Sequence, residues 1–76
     1  MLEKLNNDID MLNNTLRRNG YNCRVEWMKD SKGDFKIAVK RDGHVVSFYE
    51  GSLENSIDMV LDIHNFVLSI SILGGK

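Results

Sequence analysis

The stretch FKIAVKRDGHVVSFYE, residues 35–50, carries a hairpin signal around which the rest of the chain can be placed. Phe35, Ile37 and Val39 alternate with less apolar residues, which is the two-residue period of a strand with one buried face. The Asp-Gly pair at 42–43 is a favoured two-residue hairpin turn. The residues after it, VVSFYE, predict a partner strand that is partly apolar on both faces.

A further strand is predicted just before this hairpin. In NCRVEWM, residues 22–28, Cys23, Val25 and Trp27 point one way and the residues between them point the other way. The loop DSKGD that follows has Gly33, which can take a positive φ. Three strands in a row, joined by short turns, predict an antiparallel meander.

Helices are predicted on both sides of the meander. In the first, Arg17 and Arg18 suit the negative C-terminal end, and Asn-Gly at 19–20 supplies a stop, so we expect a helix over residues 2–18. Its apolar side chains recur every three or four residues, the spacing of one helical stripe: Leu2, Leu5, Ile9, Leu12 and Leu16.

Ser52 is a good N-cap for a second helix, predicted from residue 53 to about residue 70. The segment VLSISIL within residues 66–73 is β-branched and alternating, so a fourth strand is the alternative there. The whole chain, 1–76, is thus predicted to be a single α+β domain of order α-β-β-β-α, with both helices packed on one face of the sheet.

Size and composition narrow the classes of protein. Apolar residues make up 42% of the 76 residues and charged residues 28%, which are ordinary globular values. The polar start MLEKLNND lacks a secretory pattern, and the apolar run at 66–73 is too short to cross a bilayer. With Cys23 as the single cysteine, no intramolecular disulfide can form. Together, these features lead us to expect a cytoplasmic protein with no membrane contact.

Side chains with catalytic potential are few. Cys23 falls among inward strand positions, where a free cysteine behaves as a small apolar residue. His44 and His64 lack the spacing of a metal site, and no phosphate-binding, nucleophile-elbow or zinc-protease motif occurs. We therefore expect neither an enzyme nor a bound cofactor or metal.

The net charge of −1 hides an asymmetry between the two parts of the chain. Residues 1–41 carry nine basic and six acidic side chains, whereas residues 42–75 carry five acidic and no basic ones. Four of the five acids recur every four residues: Glu50, Glu54, Asp58 and Asp62. The last three would lie on one face of the second helix, where like charges at i,i+4 cost about 0.2–0.5 kcal/mol per pair.

Three interpretations of this acidic column stay open. The helix dipole favours Glu54 in the first turn, but its effect fades before Asp58 and Asp62. The column is a merely solvated face, or it is neutralised by cations from elsewhere in the fold, or it is a surface that attracts a basic partner.

The order of elements is similar to that of double-stranded-RNA-binding domains. Those domains begin their second helix with lysines that hold phosphates, whereas this chain has SLENSID at that position. Glu54 and Asp58 would repel a phosphate backbone. We therefore expect direct nucleic-acid binding to be absent from that helix.

Residues 36–57, KIAVKRDGHVVSFYEGSLENSI, resemble the central part of small phage anti-CRISPR proteins that inhibit Cas9. The shared features are the strand that ends at Val39, the Asp42-Gly43 turn, a third strand, and an acidic start to the helix. The resemblance implies that an acidic, DNA-mimicking surface occupies the site where Cas9 reads the PAM duplex. It also implies that Asp42 and Gly43 approach that cleft, beside Glu50 and Glu54.

The leading hypothesis is a phage or mobile-element protein that inhibits a host protein with a basic surface by direct binding. Its predicted contact residues are Asp42, Gly43, Glu50, Glu54, Asp58 and Asp62. One alternative is a homodimeric regulator, whose contact face would be Phe66, Ile70 and Leu73. Another is a nucleic-acid-binding accessory protein, which would use Arg24, Lys36, Lys40 and Trp27. The sequence leaves monomer and homodimer open.

Overall fold

The computed structural model describes the backbone of residues 2–73 and the side chains of residues 2–70. It confirms the predicted α+β domain and its α-β-β-β-α order. The elements are α1 (Leu2–Arg18), β1 (Cys23–Lys29), β2 (Phe35–Arg41), β3 (His44–Gly51) and α2 (Leu53–Leu73).

The three strands form one antiparallel sheet in the order β1-β2-β3. Asp42 and Gly43 both take positive φ, 53° and 81°, as a type I′ hairpin turn requires. The register of β2 and β3 shifts beyond Val39, which pairs with Ser47, so Val46 is left as a bulge residue. The predicted meander and its turn are therefore confirmed, whereas the bulge had no signal in the sequence.

Both helices pack on one face of this sheet, α1 over β1 and α2 over β2 and β3. Short connections reverse the chain at every element, so the two helices run in the same direction. The buried apolar residues come from both helices and from the inward positions of β1 and β2: Leu5, Ile9, Leu12, Leu16, Val25, Phe35, Ile37, Ile57, Val60 and Val67. In contrast, residues 44–48 of β3 are all exposed.

The helix ends follow the predicted signals. At the end of α1, Tyr21 N–H bonds to the carbonyl of Leu16 and Gly20 N–H to that of Arg17, with Gly20 at a φ of 77°. This pair of bonds is a Schellman motif. At the start of α2, the Ser52 hydroxyl accepts a hydrogen bond of 3.2 Å from the Asn55 N–H, which confirms the predicted N-cap.

The alternative of a fourth strand over residues 66–73 is wrong, because α2 continues through this segment as a helix. Helix growth is cooperative once a capped first turn has formed, and Val67 is still buried in the core at its helical position. The β-branched residues after it therefore extend α2 to Leu73, three residues past the predicted end.

Candidate functional site

Three carboxylates lie on one exposed face of α2, which we call the α2 acidic face: Glu54, Asp58 and Asp62. Each is one helical turn beyond the last, so their backbone positions are about 6 Å apart along the axis. Among residues 2–70, no Lys, Arg or His lies within ion-pair distance of any of the three. The face therefore presents its negative charge outward.

Three of the five cations on the strands are paired with other carboxylates, and the remaining two, Lys29 and Arg41, lie beyond ion-pair distance of the α2 acidic face. Arg24 Nε lies 3.6 Å from Glu26 Oε2, and Lys40 Nζ lies 3.1 Å from Glu26 Oε1. Lys36 Nζ lies 4.0 Å from Glu50 Oε2. On α1, Arg17 donates a hydrogen bond of 2.6 Å to the side chain of Asn14. Within the described part of the chain, neutralisation of the α2 acidic face across the fold does not occur.

The other predicted contact residues do not join this face. Glu50 lies opposite Lys36 at one end of β3, whereas Asp42 and Gly43 form the turn at the other end. Six residues of strand separate them, about 20 Å. The Asp42 carboxylate accepts a hydrogen bond from the side chain of Asn22. The six predicted residues are therefore distributed over three places rather than one surface.

A second group of acids, not predicted from the sequence, surrounds Glu50. Carboxylate oxygens of Asp30, Asp34 and Glu50 lie within 4.8 Å of one another, a spacing that could hold a cation. Asp30 Oδ1 already accepts the N–H groups of Lys32 at 2.9 Å and Asp34 at 3.0 Å, which closes the β1–β2 loop. Sheet register brings this loop to Glu50, and register cannot be read from residue spacing alone. The loop hydrogen bonds are a sufficient reason for this arrangement.

The Asp30 carboxyl has a depressed pKa. Partial desolvation acts to raise the pKa, but the backbone N–H groups of Asp34 and Lys32, together with a hydrogen bond to Glu50 and the charge of Lys36, hold the pKa below its ordinary value of 3.8. A carboxyl with a lower pKa in the folded state stabilises the fold above its unfolded pKa, and this contribution disappears as the pH falls through the folded pKa.

Asp30→Asn should therefore lower the melting temperature at pH 6, and its effect should diminish as the pH falls below the ordinary value of 3.8 and through the folded-state pKa. The amide is isosteric but accepts the two N–H bonds less strongly than a carboxylate. Thermal unfolding by circular dichroism across this pH range is the measurement, with Ser31→Ala in the same loop as the control. A difference between Asp30→Asn and the wild-type chain that is constant with pH would contradict the assignment.

His64 and Cys23 make contacts that hold the fold together, and His44 is exposed at the start of β3. Thr15 Oγ1 donates to the Met11 carbonyl at 3.0 Å and lies 2.8 Å from His64 Nε2, so the ring nitrogen acts as the donor in the second contact. This contact joins α1 to α2. Cys23 packs against the edge of the core, and His44 is exposed.

A cleft of about 710 Å³ lies between α1 and the end of the sheet that holds the start of β1 and the Asp42-Gly43 turn. Three cations and three anions line it, so their formal charges cancel. Those charged residues are Asp10, Arg17, Arg24, Glu26, Lys40 and Asp42. The cleft therefore offers no preference for a ligand of either sign.

On one side of this cleft, the Asn13 side chain of α1 covers the outer edge of β1. Asn13 donates its amide to the Val25 carbonyl at 2.9 Å and accepts the Val25 N–H at 2.8 Å, as a neighbouring strand would. Two turns earlier on α1, Asn6 accepts the indole N–H of Trp27 at 2.7 Å. The Trp27 ring also packs on Phe35, with ring centres 5.6 Å apart. Trp27 thus belongs to the helix-covered face of the sheet.

The cationic set suggested for nucleic-acid binding is split by this arrangement. Arg24, Lys36 and Lys40 occupy the open face of the sheet, whereas the Trp27 ring is tied to α1 on the other face. No aromatic base-stacking platform therefore combines Trp27 with these cations.

A comparison of the chain with protein-family models, with curated proteins and with solved structures found no match. Within the described residues, neither helix has both the length and the apolarity needed to cross a bilayer.

Proposed function

We propose that this chain is a non-enzymatic inhibitor that binds a basic surface of a host protein through the α2 acidic face. The observation that carries the proposal is the set of three exposed carboxylates without a cation partner in the described residues. Such a column destabilises its own helix by about 0.2–0.5 kcal/mol per neighbouring pair, and aspartate is a poor helix former. A function in binding explains why the chain keeps it.

The carboxylate acceptors of the α2 acidic face indicate which donor groups a partner would present. A carboxylate offers two oxygens to the planar fork of an arginine, as a phosphate does. The column has one charge per about 6 Å, roughly half the density of one DNA strand, which has one per 3.4 Å. This favours a site with a few arginines over a long DNA-binding groove.

Cas9 is the first partner to test. Its PAM-reading arginines bind acceptors in bidentate fashion, and residues 36–57 resemble inhibitors of Cas9. In this proposal the chain comes from a phage or mobile element and acts in the cytoplasm of the host cell.

The test is displacement of a fluorescent PAM-containing duplex from the complex of Cas9 and guide RNA, followed by anisotropy. The wild-type chain should displace the duplex, and Glu54→Gln/Asp58→Asn/Asp62→Asn should weaken its binding at least about tenfold. A single charge-assisted hydrogen bond contributes about 1.5–3 kcal/mol, and 1.4 kcal/mol corresponds to a factor of ten.

A matched pair of variants separates position from net charge. Asp58→Asn/Asp62→Asn and Glu3→Gln/Asp10→Asn each remove two exposed carboxylates, the first from α2 and the second from α1. Only the α2 pair should weaken binding. Equal effects of the two pairs would mean that net charge, and not this face, drives association, and a wild-type chain that leaves the duplex bound would exclude the PAM site of Cas9.

A further inference from the structure

The two edges of the sheet differ in one respect. The outer edge of β1 is covered by the amide of Asn13, which bonds to both backbone groups of Val25. The outer edge of β3 has no such cover within the described residues, because α2 packs on the face of the sheet. An eight-residue edge strand without Lys or Pro is a template for pairing with another strand.

The sheet register identifies the free backbone groups on β3. Val25 turns its N–H and C=O toward Asn13, so those of its partner Val39 face β3. Val39 pairs with Ser47, and the groups of Ser47 therefore point back to β2. Alternation then directs the N–H and C=O groups of Phe48 and Glu50 to the open edge.

An apolar stripe of α2 runs beside this edge. Met59 and Ile63 line a recess of about 130 Å³ between α2 and β3, together with Tyr49. Phe66 continues the stripe, one turn (i+3) after Ile63 and two turns (i+7) after Met59, and is 65% exposed. The open edge of β3 and the apolar stripe of α2 therefore lie side by side and form one surface with a strand layer and a helix layer.

We propose that a second copy of this chain occupies that surface, with its β3 antiparallel to β3 across a twofold axis near Phe48. The two meanders then form one six-stranded sheet. The axis places the Phe48 side chains opposite each other, and residue 46 of each copy lies opposite Glu50 of the other. This inference is independent of the proposed function, because it uses a different face of α2.

The spacing of the layers supports a second copy over an isolated peptide strand. Neighbouring strands are about 4.8 Å apart, and α2 lies over both β2 and β3. Its axis is therefore about 5 Å from the twofold axis, and the two α2 helices would be about 10 Å apart. Packed helices have interaxial distances of about 8–10 Å. A peptide would satisfy the strand edge but leave the stripe exposed.

Charge is also compatible with self-association. Glu50 is the one Asp, Glu, Lys or Arg residue of β3, and a twofold axis near Phe48 keeps the two Glu50 residues apart. The α2 acidic face lies about 100° around the helix from the Met59–Ile63 stripe. Dimerisation would therefore leave both acidic faces exposed.

The test is sedimentation velocity of the full chain over a range of concentrations. The wild-type chain should reach twice the protomer mass of 8.7 kDa. Phe48→Lys and Phe66→Lys should each weaken dimerisation at least about tenfold, because the twofold axis repeats each charge in both copies. Circular dichroism should show that each variant keeps the folded spectrum.

Met28→Lys is the matched control. Met28 is 62% exposed and Phe48 67%, and both lie on the open face of the sheet, but Met28 is on β1. It should leave the dimer intact. A wild-type chain that stays monomeric at its highest soluble concentration would overturn the proposal. So would a dimer that Met28→Lys dissociates as strongly as Phe48→Lys, since that would indicate stacking of the open sheet faces.

Discussion

Leu12→Ala should lower the free energy of unfolding by about 2–5 kcal/mol, the range for removal of a fully buried leucine side chain. Leu12 is 0% exposed in the α1 face that packs on α2 and the sheet. A domain of 76 residues has a total stability of only about 4–11 kcal/mol. The substitution should therefore remove a large fraction of it, as measured by urea-induced unfolding followed by circular dichroism.

Leu2→Ala is the control on the same helix, because Leu2 is 44% exposed. Its effect should be much smaller, since surface substitutions usually change stability by about 0.5 kcal/mol or less. Equal losses from the two substitutions would mean that Leu12 is not at the centre of the core.

Asn13→Ala should lower the free energy of unfolding by about 1–3 kcal/mol, because it leaves the N–H and C=O of Val25 without their partner. The amide makes both bonds at once, at 2.9 Å and 2.8 Å, and Val25 itself is buried. The loss should appear in urea unfolding and as faster hydrogen exchange of the Val25 amide.

Asn7→Ala is the matched control, an exposed asparagine on the same helix. It should be neutral or slightly stabilising, because alanine has the higher helix propensity. If Asn13→Ala behaved like Asn7→Ala and the Val25 amide kept its protection from exchange, the sealed edge of β1 would not exist in solution. The contrast between the two sheet edges would then lose its basis.

The parts of the fold that depend on local chemistry were predictable. The Asn-Gly stop after Arg18, the Asp42-Gly43 turn and the Ser52 cap each act within a few residues, and each is confirmed. The alternative of a strand at 66–73 was wrong because propensity favoured β structure there, whereas continuation of a capped helix decided the outcome.

The parts that depend on tertiary packing were not predictable in the same way. The i,i+4 spacing was sufficient to place Glu54, Asp58 and Asp62 on one face. The contact of Asn13 with Val25 needs the docking of α1 on β1, and no spacing rule reports it. The same is true of the approach of the β1–β2 loop to Glu50, and of the separation of Glu50 from the Asp42-Gly43 turn.

The two proposals can be tested apart from each other. Substitutions in the α2 acidic face should change binding to a basic partner and leave the protomer–dimer equilibrium unchanged. Phe48→Lys should do the reverse, because Phe48 lies at the sheet edge and away from that face. A variant that changed both properties would indicate that the binding surface is formed only in the dimer.

The most direct test of the outward-facing acidic surface is the salt dependence of binding to the complex of Cas9 and guide RNA. Exposed charge pairs are screened as ionic strength rises, since the Debye length falls from about 10 Å at 0.1 M to about 3 Å at 1 M. The wild-type chain should lose affinity steeply with added salt, and Glu54→Gln/Asp58→Asn/Asp62→Asn should show weaker binding with a flatter slope. Equal affinities and equal slopes for the two chains would contradict the account.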